Sequence, residues 1–419
     1  MPFHFGAVKM VDMELLAVRV EIEIDGKVVH GHTESVLSPL WFDKSSDRTP
    51  IQKRDALLHG VRRAGEATIA AGSGTLLELH RDSEGDERPL VSSFGIAMID
   101  AAMVDALCRA TGRTLHALLG RPAPANHMSI RHTVGLADPL VAGDLKERLN
   151  DDLPETLEEA VRQYGLRYFK VKVGADVEHT AERLRRISEV LRREAPGYKL
   201  SLDGNETQTD TEAFGAWATQ LSGDPALADI WSRILWIEQP LARHAALEGP
   251  LPKIDKPVII DESDGYDNAV VRALELGYSG TSSKTCKGLF RSLHSIAALE
   301  EHGSGILAGE DLTTVPMLAL QHDLAVAGAL GITHLERNGH HYVRGLGFLT
   351  EGEQALAMEH FPSLYHRLAD GTPALHIRDG TVDTTEVNAH AFGAPFGPEW
   401  DAYDAVDLPG EISAGSTLA

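Results

Sequence analysis

The stretch FKVKVG at residues 169–174 decides the fold class, because it places two lysines inside an apolar strand pattern. Phe169 and the valines that follow alternate with Lys170 and Lys172, so the apolar and basic side chains point to opposite faces of a β-strand. The pattern is typical of a buried strand. Two adjacent ammonium groups in such a strand need a chemical role, and the neighbouring strands indicate which one.

Short apolar segments recur between about residues 129 and 338, and helix-like stretches separate most of them. The eight segments are SIRHTVGL, YFKVKVG, KLSLDGN, ILWIEQP, VIIDES, GYSGTSSK, GILAGED and GITHLERN. Strands that alternate with helices predict a parallel sheet of the α/β class. Eight repeats favour a closed (β/α)8 TIM-like barrel. An open doubly wound sheet is the rival, but no glycine-rich phosphate loop follows the first strand.

The N-terminal part has a different texture. LLAVRVEIEIDGKVVHGHTE alternates and turns at Asp25-Gly26, which predicts a β-hairpin. The aperiodic stretch SVLSPLWFDKSSDRTP predicts a loop, and helices are expected at about 51–72 and 95–119. We therefore expect an N-terminal α+β domain that the C-terminal tail completes. The predicted divisions are 1–126 for this domain, 127–345 for the barrel and 346–419 for a segment that returns to it.

The bulk composition bounds the partners and the compartment. The chain has 419 residues, with 39 basic against 62 acidic residues and a net charge of −23. This charge argues against nucleic acid or an anionic membrane as a partner. Two cysteines, Cys108 and Cys286, fit a reducing compartment. No signal-peptide pattern and no apolar run long enough to span a bilayer are evident, so we expect a cytoplasmic protein.

Polar or charged residues end most of the predicted strands. Six such positions lie 23 to 35 residues apart, near the spacing of about 30 residues per βα unit in a barrel. They are positions 203, 238, 261, 284, 310 and 336. A single acid after a strand can be no more than the N-cap of the next helix. The whole set, however, would converge on the C-terminal face, where barrel active sites lie.

The residue types at these positions indicate a metal and a base. Asp203, Glu238 and Asp261 would repel one another unless a cation lay among them, and such hard oxygen ligands suit Mg²⁺. A lysine base needs a pKa lowered from about 10.4. Neighbouring ammonium groups, a cation and partial burial all act in that direction. We therefore interpret the Lys170–Lys172 pair as a base rather than as salt-bridge partners.

The Lys-x-Lys strand, DGN, IEQP, DES and a lysine on the sixth strand occur here in that order. Because of these five motifs, the chain resembles the enolase superfamily. It is most similar to the muconate lactonizing enzyme branch of the mandelate racemase/muconate lactonizing enzyme family. The resemblance implies Mg²⁺-dependent removal of the proton alpha to a small-molecule carboxylate through an enediolate intermediate, in a homo-oligomer with an N-terminal capping domain. The reaction would be of racemase, epimerase or cycloisomerase type. Acid-sugar dehydration is the alternative, and a non-catalytic metal-binding barrel is the remote one.

The resemblance also implies roles for individual residues. Asp203, Glu238 and Asp261 match the metal ligands. Lys172 and Lys284 match acid/base groups on opposite faces of the substrate, and Lys170 matches the catalytic residue that tunes Lys172. Asp261 and its neighbour Glu262 both stay open as the third ligand. The positions expected to contact substrate or support the ligands are Asn205, Gln239, Glu262, Glu310, Asp311, His334 and Glu336.

Two segments depart from the family pattern or carry its specificity. The His–Asp dyad of the mandelate racemase branch is missing, and the eighth strand, THLERNGHHY, is unusually polar. Its histidines could contact the substrate, form hydrogen bonds within the loop or bind a second metal ion, and these alternatives stay open. The segment with Glu34, Ser35, Trp41, Phe42 and Asp43 resembles the mobile capping loop of the family. Trp41 and Phe42 could equally be core residues.

Overall fold

The computed structural model describes residues 3–5, 8–10, 12–315 and 317–406. The β-strands are β1 Phe3–Phe5, β2 Val8–Met10, β3 Glu14–Ile24, β4 Lys27–Leu37, β5 His127–Val134, β6 Tyr168–Lys172, β7 Lys199–Asp203, β8 Ile234–Glu238, β9 Val258–Ile259, β10 Gly280–Ser283, β11 Ile306–Gly309, β12 His334–Arg337, β13 Tyr365–Arg367, β14 Pro373–Leu375 and β15 Thr381–Asp383. The α-helices are α1 Pro39–Phe42, α2 Pro50–Ala71, α3 Leu76–Leu79, α4 Pro89–Thr111, α5 Leu115–Leu118, α6 Leu157–Tyr164, α7 Val177–Glu194, α8 Thr211–Gly223, α9 Ala228–Ser232, α10 Ala269–Glu275, α11 Leu289–His302, α12 Met317–Ala329, α13 Gly339–Tyr342, α14 Glu351–His360 and α15 Thr385–Ala389. Short 3₁₀ helices are Ala142–Asp144, Pro225–Leu227, Thr285–Lys287 and Trp400–Ala402.

Strands β5 to β12 form a parallel barrel in which neighbours in the chain are neighbours in the sheet. β12 pairs with β5, and a parallel bridge between Ile260 and Thr281 joins the two remaining edges. The prediction of an eight-stranded (β/α)8 barrel is therefore confirmed. In register, Lys172 pairs with Asp203, and Asp203 pairs with Glu238. The charged ends of three adjacent strands thus lie side by side at the C-terminal mouth.

The alternation of β6 sorts its side chains as the sequence predicts. Phe169 and Val171 pack in the main hydrophobic core with Leu184 of α7. Lys170 and Lys172 lie on the other face and contact carboxylates from other barrel strands. Both sides of the strand are buried, because α7 covers one and the barrel interior encloses the other. The two lysines therefore line the interior of the barrel.

The N-terminal domain is built on the predicted hairpin. β3 and β4 pair over their whole lengths and turn at Asp25 and Gly26, whose φ angles of 52° and 74° fit a tight hairpin turn. The ladder continues to the pair Glu14–Leu37, and α1 follows directly. The prediction of a loop for this stretch is therefore wrong up to Phe42, because cross-strand pairing outweighs the weak local pattern.

Helix α4, Pro89–Thr111, is the central helix of this domain. By length and composition it could cross a membrane, so the prediction that no apolar run is long enough to span a bilayer is wrong. Of its most apolar 18-residue window, 83% is buried inside the protein. Phe94 and Met98 pack there with Leu57 of α2, as expected for a core helix.

The C-terminal segment contacts both the barrel and the N-terminal domain. β15 pairs antiparallel with β5 at the N-terminal end of the barrel. Further along, Arg109 donates hydrogen bonds to the carbonyls of Ala394 and Phe396. The Tyr403 hydroxyl donates to Glu34 at 2.9 Å. The segment therefore ties the two parts of the chain together.

Candidate active site

Lys170 occupies the centre of a buried ring of carboxylates. Its Nζ lies 2.8 Å from Glu238, 2.9 Å from Glu336 and 3.0 Å from Asp203, and it also contacts Glu310. Burial lowers the pKa of an amine, but these four carboxylates raise the pKa of Lys170 well above its usual value. The interpretation of the Lys170–Lys172 pair as a base without salt bridges is therefore wrong for Lys170, which has four carboxylate partners. Lys170 is the cationic hub of the mouth.

Lys172 and Lys284 lie on opposite sides of this ring. They end β6 and follow β10, the second and sixth strands of the barrel, which are diametrically placed in an eight-stranded ring. Lys172 Nζ is 2.6 Å from Asp203 Oδ2, and Lys284 Nζ is 2.6 Å from Asp261 Oδ2. Burial lowers the pKa of Lys284, but Asp261 outweighs it and raises that pKa. The expected lowering of a lysine pKa is therefore not seen for Lys284 while Asp261 is its partner.

The carboxylates provide an oxygen-rich site for a hard cation. Asp203 and Glu238 are fully buried neighbours in register. The Oε2 atom of Glu238 is buried and has no hydrogen-bond partner among the described residues. Burial, with nearby Glu310, raises the pKa of Glu238 well above its usual value, although Lys170 lies 2.8 Å from its other oxygen. These residues fit Mg²⁺, which takes oxygen ligands and leaves positions for water or substrate.

Asp261 and Glu262 offer different acceptors at the end of the fifth barrel strand. Asp261 accepts hydrogen bonds from Ser282 and Lys284, one on each oxygen. Burial raises its pKa, but Lys284 and Lys287 outweigh burial and lower it. Glu262 places Oε1 3.3 Å from Asn205 Nδ2, while its Oε2 is buried with no partner among the described residues. Asp261 thus faces the sixth strand, whereas Glu262 faces Asn205 beside Asp203.

Two amides hold these acids in place. The Gln239 side-chain oxygen accepts hydrogen bonds from the backbone N–H groups of Asp261, at 2.7 Å, and Ser263, at 3.0 Å. The backbone N–H of Asn205 donates to Asp203 at 2.9 Å. Both residues have positive φ angles, 34° for Gln239 and 43° for Asn205, so the backbone turns sharply behind the carboxylates. Backbone strain of this kind concentrates at functional sites.

The seventh and eighth strands supply three further acids. Glu310 contacts Arg131 and Lys170, and burial raises its pKa to about 7. Glu336 accepts a hydrogen bond from Thr133 at 2.6 Å. Asp311 instead accepts backbone N–H groups, including that of Asn338 at 3.0 Å. Glu310 and Glu336 thus belong to the ring around Lys170, and Asp311 organises the loops above it.

The structure does not bring His334 to the mouth. His334 is the first residue of β12, so it lies at the N-terminal end of the barrel, two residues before Glu336. Its ring stacks on Tyr168, with 4.5 Å between ring centroids, and lies 2.8 Å from Arg131. Its other stacking partner is Trp236. These contacts are structural, because the start of a strand faces away from the C-terminal mouth.

Several charged residues in and around the mouth were not predicted from the sequence, and among the described residues they include Arg131, Lys44, Glu206 and Lys287. Lys44 reaches from the N-terminal domain to Glu206, at 2.5 Å, and Glu262, at 3.3 Å. Lys287 lies 3.1 Å from Asp264, which is in the segment after the fifth strand. Only Arg131 and Lys287 carried a signal: Arg131 stands at an inward position of its strand, and Lys287 follows Lys284 by one turn. The sequence around Lys44 carries no signal for its contact with Glu262, which is 218 residues away in the chain.

The proposed capping segment is partly core. Glu34 and Ser35 lie in β4, and burial raises the pKa of Glu34 to about 7. Trp41 and Phe42 are 4% and 1% exposed and pack in the core of the N-terminal domain. Trp41 also covers the active-site side, since its ring lies over the Lys284 ammonium. Trp41 is therefore a core residue that also contacts the mouth, and its membership of a capping loop stays a prediction.

The profile of the family described as Enolase C-terminal domain-like matches residues 152–386. This chain belongs to that family. Within the enolase superfamily, its solved neighbours include mandelate racemase/muconate lactonizing enzymes, as the sequence motifs predict. The prediction of an enolase-superfamily isomerase or lyase is confirmed at that level. No curated protein matches the sequence.

Three solved structures illustrate this superfamily fold. A mandelate racemase/muconate lactonizing protein from Herpetosiphon aurantiacus has a TM-score of 0.60 at 19% identity, over 94% of this chain and 93% of that one. An enolase from Bradyrhizobium, complexed with magnesium and mandelic acid, has a TM-score of 0.59 at 16% identity, over 91% and 89%. An N-succinyl Arg/Lys racemase from Bacillus cereus has a TM-score of 0.59 at 16% identity, over 92% of both chains. At these identities the likeness shows the fold alone.

Proposed function

We propose that this enolase-superfamily enzyme removes the proton alpha to a substrate carboxylate in a Mg²⁺-dependent reaction. Lys172 and Lys284 act as the acid/base pair on the two faces of the alpha carbon, in a racemase, epimerase or cycloisomerase. One observation carries the proposal: the two lysines lie on barrel strands placed opposite each other, each 2.6 Å from a carboxylate of the same buried cluster.

The metal ligands in this proposal are Asp203 and Glu238 with Asp261, or with Glu262 in its place. Mg²⁺ bound there would supply positive charge that stabilises the negative charge developing on the substrate carboxylate. The unpartnered Oε2 of Glu238 supports a cation in this position. The Bradyrhizobium neighbour, which is complexed with magnesium and mandelic acid, is consistent with the same choice of metal.

The protein's own groups divide the proton transfer between them. One lysine must be neutral to take the alpha proton, and the other must be charged to return one to the opposite face. Nearby carboxylates raise the pKa of Lys284 and keep it protonated. If these carboxylates bound a cation, they would stabilise the ammonium group less, and the pKa of Lys284 would fall. Lys170 contributes fixed positive charge beside Lys172, and the Trp41 ring excludes water from Lys284.

The test is a substrate screen in D₂O with Mg²⁺. Acid sugars, N-acyl amino acids and dipeptides are incubated with the enzyme, and NMR measures deuterium at the alpha carbon. We expect exchange for at least one class, with inversion or ring closure as the net reaction. The absence of exchange from every class would favour the non-catalytic metal-binding barrel.

An acid-sugar dehydratase is the second candidate. Polar residues line the cavity that holds the lysines, among them Asp311, Thr313, Glu336 and Asn338. Such a wall suits a hydroxylated substrate, because each hydroxyl needs a hydrogen-bond partner when buried. In that reaction only one lysine removes the proton, and the other stabilises charge. The screen distinguishes the two candidates, since a dehydratase releases a 2-keto acid and does not interconvert stereoisomers.

We also propose that the protein is a cytoplasmic homo-oligomer. The family resemblance suggests the assembly, and the two unpaired buried cysteines, Cys108 and Cys286, are consistent with a reducing compartment. Light scattering at micromolar concentration tests the assembly. A monomer mass would contradict it.

A further inference from the structure

A second group of potential metal ligands lies outside the barrel mouth, at the seam between the N-terminal domain and the barrel. His80 follows α3, Asp267 lies in the segment after β9, and His294 is on α11. One potential ligand atom from each of the three residues lies within 4.8 Å of the other two. None of the three takes part in the proposed proton transfer.

His80 is oriented as a metal ligand would be. Its Nδ1 atom lies 2.6 Å from Asp100 Oδ2, and both side chains are buried. Burial lowers the pKa of His80, but Asp100 and Asp267 outweigh burial and raise it to about 9. A metal ion would therefore displace the proton on Nε2, while the Nδ1–H bond to Asp100 holds the ring in place. That Nε2 faces Asp267, with 3.2 Å to Oδ2. A carboxylate behind a histidine is the usual support of a histidine that binds zinc.

The contact between His294 and Asp267 also points to a shared cation. His294 Nδ1 lies 2.7 Å from Asp267 Oδ2, yet this nitrogen has no hydrogen-bond partner among the described residues. Asp267 Oδ1 is buried and likewise unpartnered there. Two polar atoms this close, without the alignment of a hydrogen bond, are arranged as two ligands that point at a common ion.

We propose that His80, Asp267 and His294 bind Zn²⁺, with Asp100 as a positioning residue. Two nitrogens and one carboxylate suit Zn²⁺ better than Mg²⁺, which prefers oxygen. Tetrahedral bonds of about 2.0–2.2 Å separate ligand atoms by roughly 3.3–3.6 Å. The 3.2 Å and 2.7 Å contacts match after shifts of a few tenths of an ångström to about an ångström. His294 is 41% exposed, so the site lies near the surface, and a water would complete the coordination.

A zinc ion here would brace the proposed active site. It would tie the segment around His80 to α11 and to the segment that begins with Asp261 and Glu262. Other contacts already join these parts: Ser83 donates a hydrogen bond to the Gly265 carbonyl. The proposal does not depend on the chemistry at the mouth, because it rests on other residues.

The experiment uses the full chain, stripped with a chelator and then returned to excess Mg²⁺ to fill oxygen-rich sites. Zn²⁺ is added, unbound metal is removed by gel filtration, and the remaining zinc is counted by mass spectrometry. We expect one zinc per chain and a higher melting temperature. Co²⁺ in place of Zn²⁺ should give the visible absorption of a four-coordinate site with nitrogen ligands.

Matched variants assign the ion to these residues. His294→Ala and Asp267→Asn should lose the zinc and the Co²⁺ absorption, whereas the exposed His302→Ala on the same helix should keep both. Glu238→Gln should also keep the zinc. Asp100→Asn should weaken binding by about 10- to 100-fold and shift the Co²⁺ spectrum. Absence of retained zinc in the wild type, unchanged zinc in His294→Ala, or loss of zinc in Glu238→Gln would overturn the proposal.

Discussion

The indole ring of Trp41 lies over the ammonium group of Lys284, with 4.3 Å between Nζ and the ring centroid. Trp41 belongs to the N-terminal domain, and Lys284 follows the sixth barrel strand. A residue of one domain therefore covers a proposed acid/base group of the other. A buried cation–π contact of this kind contributes about 0.5–2 kcal/mol.

Replacement of Trp41 should affect one face of the substrate more than the other. Trp41→Leu removes the ring from Lys284, so exchange at the face served by this lysine should fall roughly 2- to 30-fold. Exchange at the Lys172 face should fall less. NMR of each stereoisomer in D₂O measures both rates.

Phe42→Leu is the control, because Phe42 packs in the same core without covering Lys284. It should lower the melting temperature without a face preference, and an equal loss at both faces in Trp41→Leu would refute the role of the ring.

Metal binding should depend on the two adjacent acids of β7 and β8. Asp203→Asn and Glu238→Gln keep the side-chain shapes but remove the charges, so both should lose Mg²⁺ affinity and turnover while staying folded. Calorimetric Mg²⁺ titration and circular dichroism check this. Asp210→Asn is the control, since Asp210 caps α8 through the Ala213 N–H and asparagine caps equally well. Full turnover in excess EDTA after exhaustive metal removal would exclude the metal.

The third ligand can be assigned by a paired comparison. Asp261 has an acceptor bond on each oxygen, whereas Glu262 keeps one unpartnered buried oxygen. If Asp261 binds the metal, Asp261→Asn should weaken Mg²⁺ binding at least tenfold more than Glu262→Gln does. The reverse order in a calorimetric titration would assign Glu262 instead and would make Asp261 a positioning partner of Lys284.

The barrel could be predicted from sequence because each strand carries its own signal. In β6, alternation alone sorted the Phe169 face from the Lys170 face, and the structure agrees. The surroundings of Lys170 could not be predicted. Its partners come from four different strands, up to 166 residues away, and only closure of the barrel brings them together. For that reason the pKa of Lys170 is raised and not lowered.

The position of His334 shows a second limit of local reasoning. His334 and Glu336 share a polar strand, but His334 begins it and Glu336 lies two residues further on, where it contacts Lys170 in the mouth. The sequence pattern predicts a strand and its direction, but it does not predict the exact residues at which the strand begins and ends. A shift of two residues decides which end of the barrel a side chain occupies.

The N-terminal domain should be sensitive to a single methyl group at one of two facing glycines. A Cβ at Gly95 would overlap the backbone of Gly60 where α2 and α4 cross, whereas a Cβ at Gly60 would meet its nearest atom, the Val91 carbonyl oxygen, at 3.4 Å. Gly95→Ala should therefore destabilise the protein by about 1–3 kcal/mol. Gly60→Ala should be near neutral, because alanine favours a helix interior. Thermal melts compare them, and equal melting temperatures would contradict the close crossing.

If Lys172 and Lys284 each serve one face of the alpha carbon, variants that keep only one of the two lysines should show this in D₂O. Lys172→Ala and Lys284→Ala should both lose net turnover. Each should still exchange the alpha proton of one stereoisomer, and the two variants should exchange opposite stereoisomers. For an elimination, loss of the charge-stabilising lysine should instead cost on the order of 10²–10³ in rate. Wild-type exchange of both stereoisomers by Lys284→Ala would contradict the two-base account.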